Sequence, residues 1–453
     1  MNRFATGIAF ILVALMPYVA MVFRGGGGAD TEAESGEPVL VLSPHRREVR
    51  LEYSRGFREW LLRVKGRDGR IVWLDAGGTS KILKDMESRF AVRPDNPGVD
   101  LLFGGGVAPY LTACERGWLE PVHLPEDALA GIPETCAGTP VYDPQMRWFG
   151  VALSGFGILY SRPLVSRLGL PPPEDWEDLA RPEYFSWVGS GDPRSSGSVH
   201  MCYEILLQAY GFERGWEIGT RLCANVRGFG EAGGTVPREV AAGDVAAGMV
   251  IDQYAHTVIR ESSAGDNLVF VLPARNTVIG PDAVGMIRNC EHRELAGLFI
   301  EYALSEEGQR LLCRPAGQGG QRFSLHRLPV LKALYGEQGT AAVNPYDAPA
   351  AVRYDGAKAS KRWDALNDLM GAWWIDAHED LRKAWRAVIS RGMKEDEVSA
   401  LCAPPVSEEQ LVALAAEMKD ARRRQGLVTR WALEARERYR SLARGASPGD
   451  RKR

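Results

Sequence analysis

Three times between Val39 and Gly106 a short apolar run ends abruptly in small or polar residues and gives way to an amphipathic stretch. Val39-Leu40-Val41-Leu42 runs into Ser43-Pro44-His45, and Ile71-Val72-Trp73-Leu74 is soon followed by Gly77-Gly78-Thr79-Ser80. Leu101-Leu102-Phe103 runs into Gly104-Gly105-Gly106. After the first run, Val49, Tyr53, Phe57 and Trp60 recur about four apart, the spacing of one helix face. Continuous apolar runs of this length, each followed by a helix, are the pattern of parallel strands buried on both faces. The chain is therefore expected to be α/β, and in open parallel sheets small molecules bind beyond the carboxyl ends of the strands.

The same pattern restarts after Trp148. Trp148-Phe149-Gly150-Val151-Ala152-Leu153 leads into Ser154-Gly155, and Trp187-Val188-Gly189 precedes Asp192-Pro193-Arg194-Ser195-Ser196-Gly197-Ser198. An apolar run from Val245 to Ile251 ends at Asp252-Gln253-Tyr254, and Gly280-Pro281-Asp282-Ala283-Val284 reads as a strand that returns to the first unit. At 453 residues the chain exceeds what one core holds together. Two lobes are expected within a region of about 38–335, lobe 1 from about 38–147 and 280–335 and lobe 2 from about 153–273. From residue 336 to 453 no strand is legible, and Trp363, Leu366, Leu369, Met370, Trp373 and Trp374 at helical spacing predict a helical C-terminal extension. Ser407-Glu408-Glu409-Gln410 reads as a capping box within it.

The N-terminus bears on location. Residues 4–23 are almost purely apolar between Arg3 and Arg24, long enough for a signal-peptide core or a membrane span. Residues 1–24 are expected to be a signal peptide or membrane anchor, and Gly-rich, acidic residues 25–37 a flexible linker. That places the rest of the chain in the periplasm or otherwise outside the cytoplasm. Net charge −3 offers no electrostatic footprint for nucleic acid. Seven scattered cysteines include no Cys-x-x-Cys pair, so zinc ribbon and dithiol redox chemistry have no candidate. There is no nucleophile elbow, phosphate-binding Walker loop or His-Glu-x-x-His, so no enzyme is expected.

The Asp192–Ser198 loop carries the most information. Ser195, Ser196 and Ser198 offer hydroxyls, Gly197 lets a ligand approach the backbone, and the following helix aims its free N–H groups at the same point. Gly77-Gly78-Thr79-Ser80 repeats the arrangement in the first unit. Either loop alone would serve as a helix cap; one in each lobe points to a shared anion cleft. Its expected lining is Ser43, His45, Gly78, Thr79, Ser80, Gly105, Gly106 and Ser154, facing Ser195, Ser196, Gly197, Thr235, Asp252 and Tyr254.

The order of these segments, with Gly157-Ile158-Leu159-Tyr160-Ser161, Gly243-Asp244-Val245-Ala246-Ala247-Gly248 and Leu304-Ser305-Glu306-Glu307-Gly308-Gln309, resembles the periplasmic solute-binding proteins of ABC importers for iron(III), phosphonates and sugar phosphates. The resemblance spans about residues 39–334. It implies a type II periplasmic binding protein fold that closes about a hinge, a monomer, a membrane permease as partner, and no cofactor. The iron-binding members of that class use two adjacent tyrosines where this chain has Gln253 and Tyr254. An oxyanion or phosphorylated metabolite is therefore the expected ligand. Ferric ion held by His45, Asp252 and Tyr254 is the alternative, and a ligand-sensing scaffold a further one.

Overall fold

The computed structural model describes residues 35–75, 77, 79–336, 344–348, 352 and 354–445. The expected signal peptide or anchor at 1–24, most of the linker, and Gly78 lie outside the described residues. No described helix is long and apolar enough to cross a membrane.

Lobe 1 opens with β1 (Glu37–Ser43), α1 (Arg47–Trp60), β2 (Gly69–Asp75), α2 (Thr79–Val92), β3 (Leu101–Phe103) and α3 (Ala108–Glu115). A small hairpin, β4 (Thr135–Cys136) and β5 (Thr139–Pro140), precedes the long β6 (Trp148–Ser161). Lobe 2 continues with α4 (Arg162–Arg167), β7 (Val188–Gly191), α5 (Gly197–Tyr210), α6 (Phe212–Asn225), β8 (Val226–Gly230), α7 (Thr235–Ala242), β9 (Ala247–Ile251), α8 (Asp252–Glu261) and β10 (Leu268–Val271). The chain then returns to lobe 1 through β11 (Ile279–Met286), α9 (Arg293–Leu304), α10 (Glu306–Cys313) and β12 (Leu328–Pro329).

Strand β1 pairs in parallel with β2 and β3, β11 joins β3 antiparallel, and the first half of β6 joins β11. Beyond Gly155, β6 enters the other sheet, where it pairs with β9 and β10 and β7 pairs in parallel with β9 and β8. One strand therefore belongs to both sheets. Its twelve residues from Trp148 to Leu159 are all buried, as a strand covered on both faces in both lobes must be. The second crossing is the segment 272–278. Each lobe has its own core, around Phe57, Phe103 and Phe299 in lobe 1 and around Trp176, Trp216 and Ile158 in lobe 2.

The extension holds α11 (Gly356–Met370), a wider helical turn Gly371–Ile375, α12 (His378–Ser390), α13 (Glu395–Cys402), α14 (Glu408–Glu417) and α15 (Ala421–Ala443). The apolar face predicted from Trp363 to Trp374 is buried, and from Leu366 onward it joins the core of lobe 2 together with Trp385 and Trp431. Arg362 is fully buried and pairs with Glu204 of α5, itself fully buried, and with Glu408 of α14. The capping box is present, with Ser407 and Gln410 exchanging side-chain to backbone bonds. The sequence reads as one helix over 407–442, but it is two: Asp420 accepts from Arg423 N and starts a new helix there. Before α11 the chain crosses between lobes a third time. Tyr346 still packs on the lobe 1 core, whereas Val352 and Tyr354 pack on that of lobe 2.

Candidate functional site

A cavity of about 320 Å³ lies between the lobes. Lobe 1 contributes the turn after β1, the glycine turn after β3, and residues of β11 and the segment leading to β12. Lobe 2 contributes the serine loop at the start of α5, the turn before α7 and the start of α8.

The serine loop comes from the end of β7. Asp192 accepts from Arg194 N at 2.8 Å and clasps the Arg194 guanidinium, which closes the turn and delivers Ser195, Ser196 and Gly197 to the cavity wall. Ser196 Oγ lies 3.1 Å from Ser198 Oγ, and Gly233 backs both. No side chain caps α5, so the helix N-terminus is left facing the cavity with hydroxyls around it. Tyr254 and Gln253 stand beside it, and the Arg46 guanidinium reaches from lobe 1 to sit 5.1 Å over the Tyr254 ring.

Lobe 1 presents a different arrangement. Gly104, Gly105 and Gly106 all have positive φ, and Gly104 leaves room for the His45 ring, which any Cβ there would strike at 2.6 Å. A turn of this kind concentrates backbone N–H groups for an anion. The anion it holds is the protein's own: Asp282 accepts from Gly106 N at 2.9 Å, meets Arg327 at 2.5 Å and lies 2.9 Å from His45 Nε2. Burial opposes ionisation of Asp282, but the guanidinium and the imidazole hold its carboxyl well below the usual carboxylate range. Burial lowers the His45 pKa more than Asp282 raises it, while Arg327 pairs with Asp282 directly. Arg327 and Asp282 therefore cancel. Among the described residues Arg46 has no carboxylate partner, and it is the cation left for a ligand.

Of the residues expected at the site, His45, Gly105, Gly106, Ser154, Ser195, Ser196, Gly197 and Tyr254 line the cavity. Ser43 lies behind it, fully buried, with Oγ 3.1 Å from His45 Nδ1 and accepting from His45 N. Thr235 begins α7 against Gly230, two residues on from the lining residue Gly233. The backbone of Thr79 and Ser80 opens α2; Gly78 is not among the described residues. Asp252 does not reach the cavity. Its carboxylate accepts from Gly155 N at 2.8 Å and Gln253 N at 2.6 Å, tying the crossing point of β6 to the start of α8. Burial pushes its pKa up to about 7 despite these bonds. Among the described residues no three His, Cys, Asp or Glu side chains gather as a metal shell requires.

Sequence reasoning missed Arg46, Asp282, Arg327, Tyr354 and Trp363. Asp282 and Arg327 carried no local signal, since only the folded sheet brings them to the glycine turn. Tyr354 and Trp363 come from the extension.

Residues 97–319, just under half of the chain, match the model of a family described as bacterial extracellular solute-binding protein. The phosphoglycerate transport regulatory protein PgtC of Salmonella typhimurium is 34% identical over 162 residues, 36% of this chain and 40% of the relative. The matched stretch thus spans two fifths of that curated relative's length. An uncharacterized protein of Haemophilus influenzae is 28% identical over 59% of this chain and 74% of its own. Among solved structures, the periplasmic binding protein AfuA of Actinobacillus pleuropneumoniae, with exogenous fructose-6-phosphate bound, superposes with TM-score 0.60 and 20% identity, covering 74% of this chain and 98% of its own. The apo ferric ion-binding protein A of Pasteurella haemolytica gives TM-score 0.58 at 17% identity, over 74% and 96%. The fold is that of the type II periplasmic binding proteins, with a helical C-terminal region.

Proposed function

We propose that this chain, which carries the region of the bacterial extracellular solute-binding family at residues 97–319, captures a small phosphorylated organic anion outside the cytoplasm and delivers it to an ABC permease. The observation that carries the reading is the asymmetry of the cleft. The anion-binding turn of lobe 1 is filled by Asp282, so a ligand's phosphate is left the uncapped α5 N-terminus, Ser195, Ser196 and Tyr254, with Arg46 across the gap. Arg46 already lies over the Tyr254 ring of that cradle, and hinge closure about β6 and 272–278 is the motion the fold allows. The cavity volume is in the range of small-molecule sites. The names of two relatives, one for phosphoglycerate transport and one solved with fructose-6-phosphate, support a phosphorylated ligand. Ferric ion is less well served, because His45 is engaged by Asp282 and Arg327 and Asp252 by backbone amides. The protein acts as a monomer without a chemical step, and residues 1–24 hold it at the membrane or export it.

Calorimetric titration with 3-phosphoglycerate, fructose 6-phosphate, inorganic phosphate and ferric citrate tests this. Micromolar or tighter binding of a phosphorylated compound is expected. Binding of ferric citrate alone would replace this reading with iron transport. A sensing role is the second reading, favoured by the presence of the extension's Tyr354 and Trp363 on the cavity wall.

A further inference from the structure

The wall of the cavity facing the glycine turn belongs to neither lobe as the sequence divides them. Trp363 of α11 and Tyr354, just before that helix, line it beside Met201 of α5. Trp363 is held rigidly: its ring stacks on His200 with centroids 3.6 Å apart, and the Asn367 amide lies 2.7 Å from His200 Nδ1. Tyr354 Oη approaches Met201 Sδ at 3.4 Å. The residue before Trp363, Arg362, is bound into lobe 2 by Glu204. Further along, Asp376 grips Arg194 of the serine loop with two bonds of 3.0 Å. The extension thus lies along the outer length of α5, the helix whose N-terminus faces the anion.

The opposite side of α11 touches lobe 1. Ser360 Oγ is hydrogen-bonded to Thr112 Oγ1 of α3, and Asp364 lies 3.9 Å from Lys84 of α2. Gly356 lets Leu111 of α3 come so near that a Cβ would meet it at 2.7 Å. The helix α3 is the one that follows the glycine turn of the cleft.

From this geometry we propose that the C-terminal extension completes the ligand site. Trp363 and Tyr354 form the surface on which the ligand's carbon skeleton packs, and α11 bridges the lobes so that its docking on α3 and closure of the cleft are one event. This rests on the phosphorylated-anion reading above for the ligand, but not for the bridge. It narrows the ligand to an anion with a carbon body large enough to reach from the serine cradle to the indole.

Two measurements on the full chain test it. In Trp363→Leu, binding of whichever organic phosphate the wild type takes, 3-phosphoglycerate or fructose 6-phosphate, should weaken roughly tenfold or more, with Trp363→Phe largely restoring it. Inorganic phosphate, seated on the serines alone, should bind both variants as it binds the wild type. An unchanged affinity for the organic phosphate, or an equal loss for both probes, would overturn the wall. The bridge is tested without ligand by the pair Thr112→Cys and Ser360→Cys in a Cys114→Ser background, since hydrogen-bonded side chains place such a pair within disulfide reach. Mild oxidation should link residues 112 and 360, read by mass spectrometry of the joined peptides, and faster when the organic phosphate is present. Failure of the pair to link overturns the bridge. A wild type that binds no phosphorylated probe overturns the anion reading and the wall built on it, while the disulfide still decides the bridge.

Discussion

Two buried carboxyl groups near the cleft have opposite fates, and their surroundings explain why. Asp282 sits between a guanidinium and a backbone N–H and stays ionised, whereas at Asp252 burial outweighs two backbone amides, the Ser154 hydroxyl and the more distant Arg327, and pushes it up to about 7. Asp282→Asn leaves Arg327 buried without a counter-charge, and urea denaturation should show a loss of about 3–5 kcal/mol. Asp252 has the reverse pH signature. Its folded pKa lies above the ordinary 3.8, so the stability its proton contributes is complete below that value and is lost as pH rises towards 7. Buried His200, pushed down to about 4, titrates in the other sense, so the comparison must be made against a variant. Unfolding midpoints at pH 5 and pH 8 should decline for the wild type relative to Asp252→Asn; parallel profiles would show that the carboxyl is not strained. At the cradle itself, replacing Ser195 and Ser196 together by alanine removes two donors of about 0.5–1.5 kcal/mol each. Calorimetry should find affinity for the phosphorylated ligand down roughly tenfold, with an unchanged circular dichroism spectrum.

Among the elements, α5 carries the most consequence. Its N-terminus faces the ligand, while His200 and Glu204 on the same helix are held by the extension. Arg362 is the main tie, fully buried and bidentate to Glu204. Arg362→Ala strands the Glu204 carboxylate, and the unfolding free energy from urea denaturation should fall by about 3–5 kcal/mol. A loss of unfolding free energy under about 1 kcal/mol would mean that water reaches the site and that the extension is held by its apolar face alone. Strand β6 matters differently. Because it serves both sheets, the lobes can rotate only by twisting its middle near Gly155, where Asp252 is bonded.

On the scale of the whole molecule, the extension is core and not appendage. Trp373, Trp374, Trp385 and Trp431 are almost wholly buried in the same cluster as Trp216 and Leu222 of lobe 2. A chain ending at Gly336 should therefore lose several kcal/mol, seen as a melting temperature lower by ~10 °C or more, or should fail to fold. A truncated protein that keeps its melting temperature would make the extension an independent module.

The sequence by itself determined the elements and much of their order. Apolar runs such as 39–42 and 101–103 announce strands because a strand buried on both faces has no polar face to show, and the spacing of Trp363 to Trp374 announces a buried helix face because that periodicity is local. Ser195, Ser196 and Gly197 were legible for the same reason, as hydroxyls and a glycine at the junction of a strand and a helix. Only the tertiary structure decided what those elements enclose. That the glycine turn after β3 is filled by Asp282, that Arg327 neutralises it, and that a tryptophan from the extension closes the cleft depend on contacts between residues far apart in the chain. Asp252 shows the limit from the other side: its position at the end of an apolar strand suggests a ligand contact, but the two amides that claim it are brought there only when β6 crosses between the lobes. Periodicity records which face a residue turns to the core, and carries no record of which distant residue meets it there.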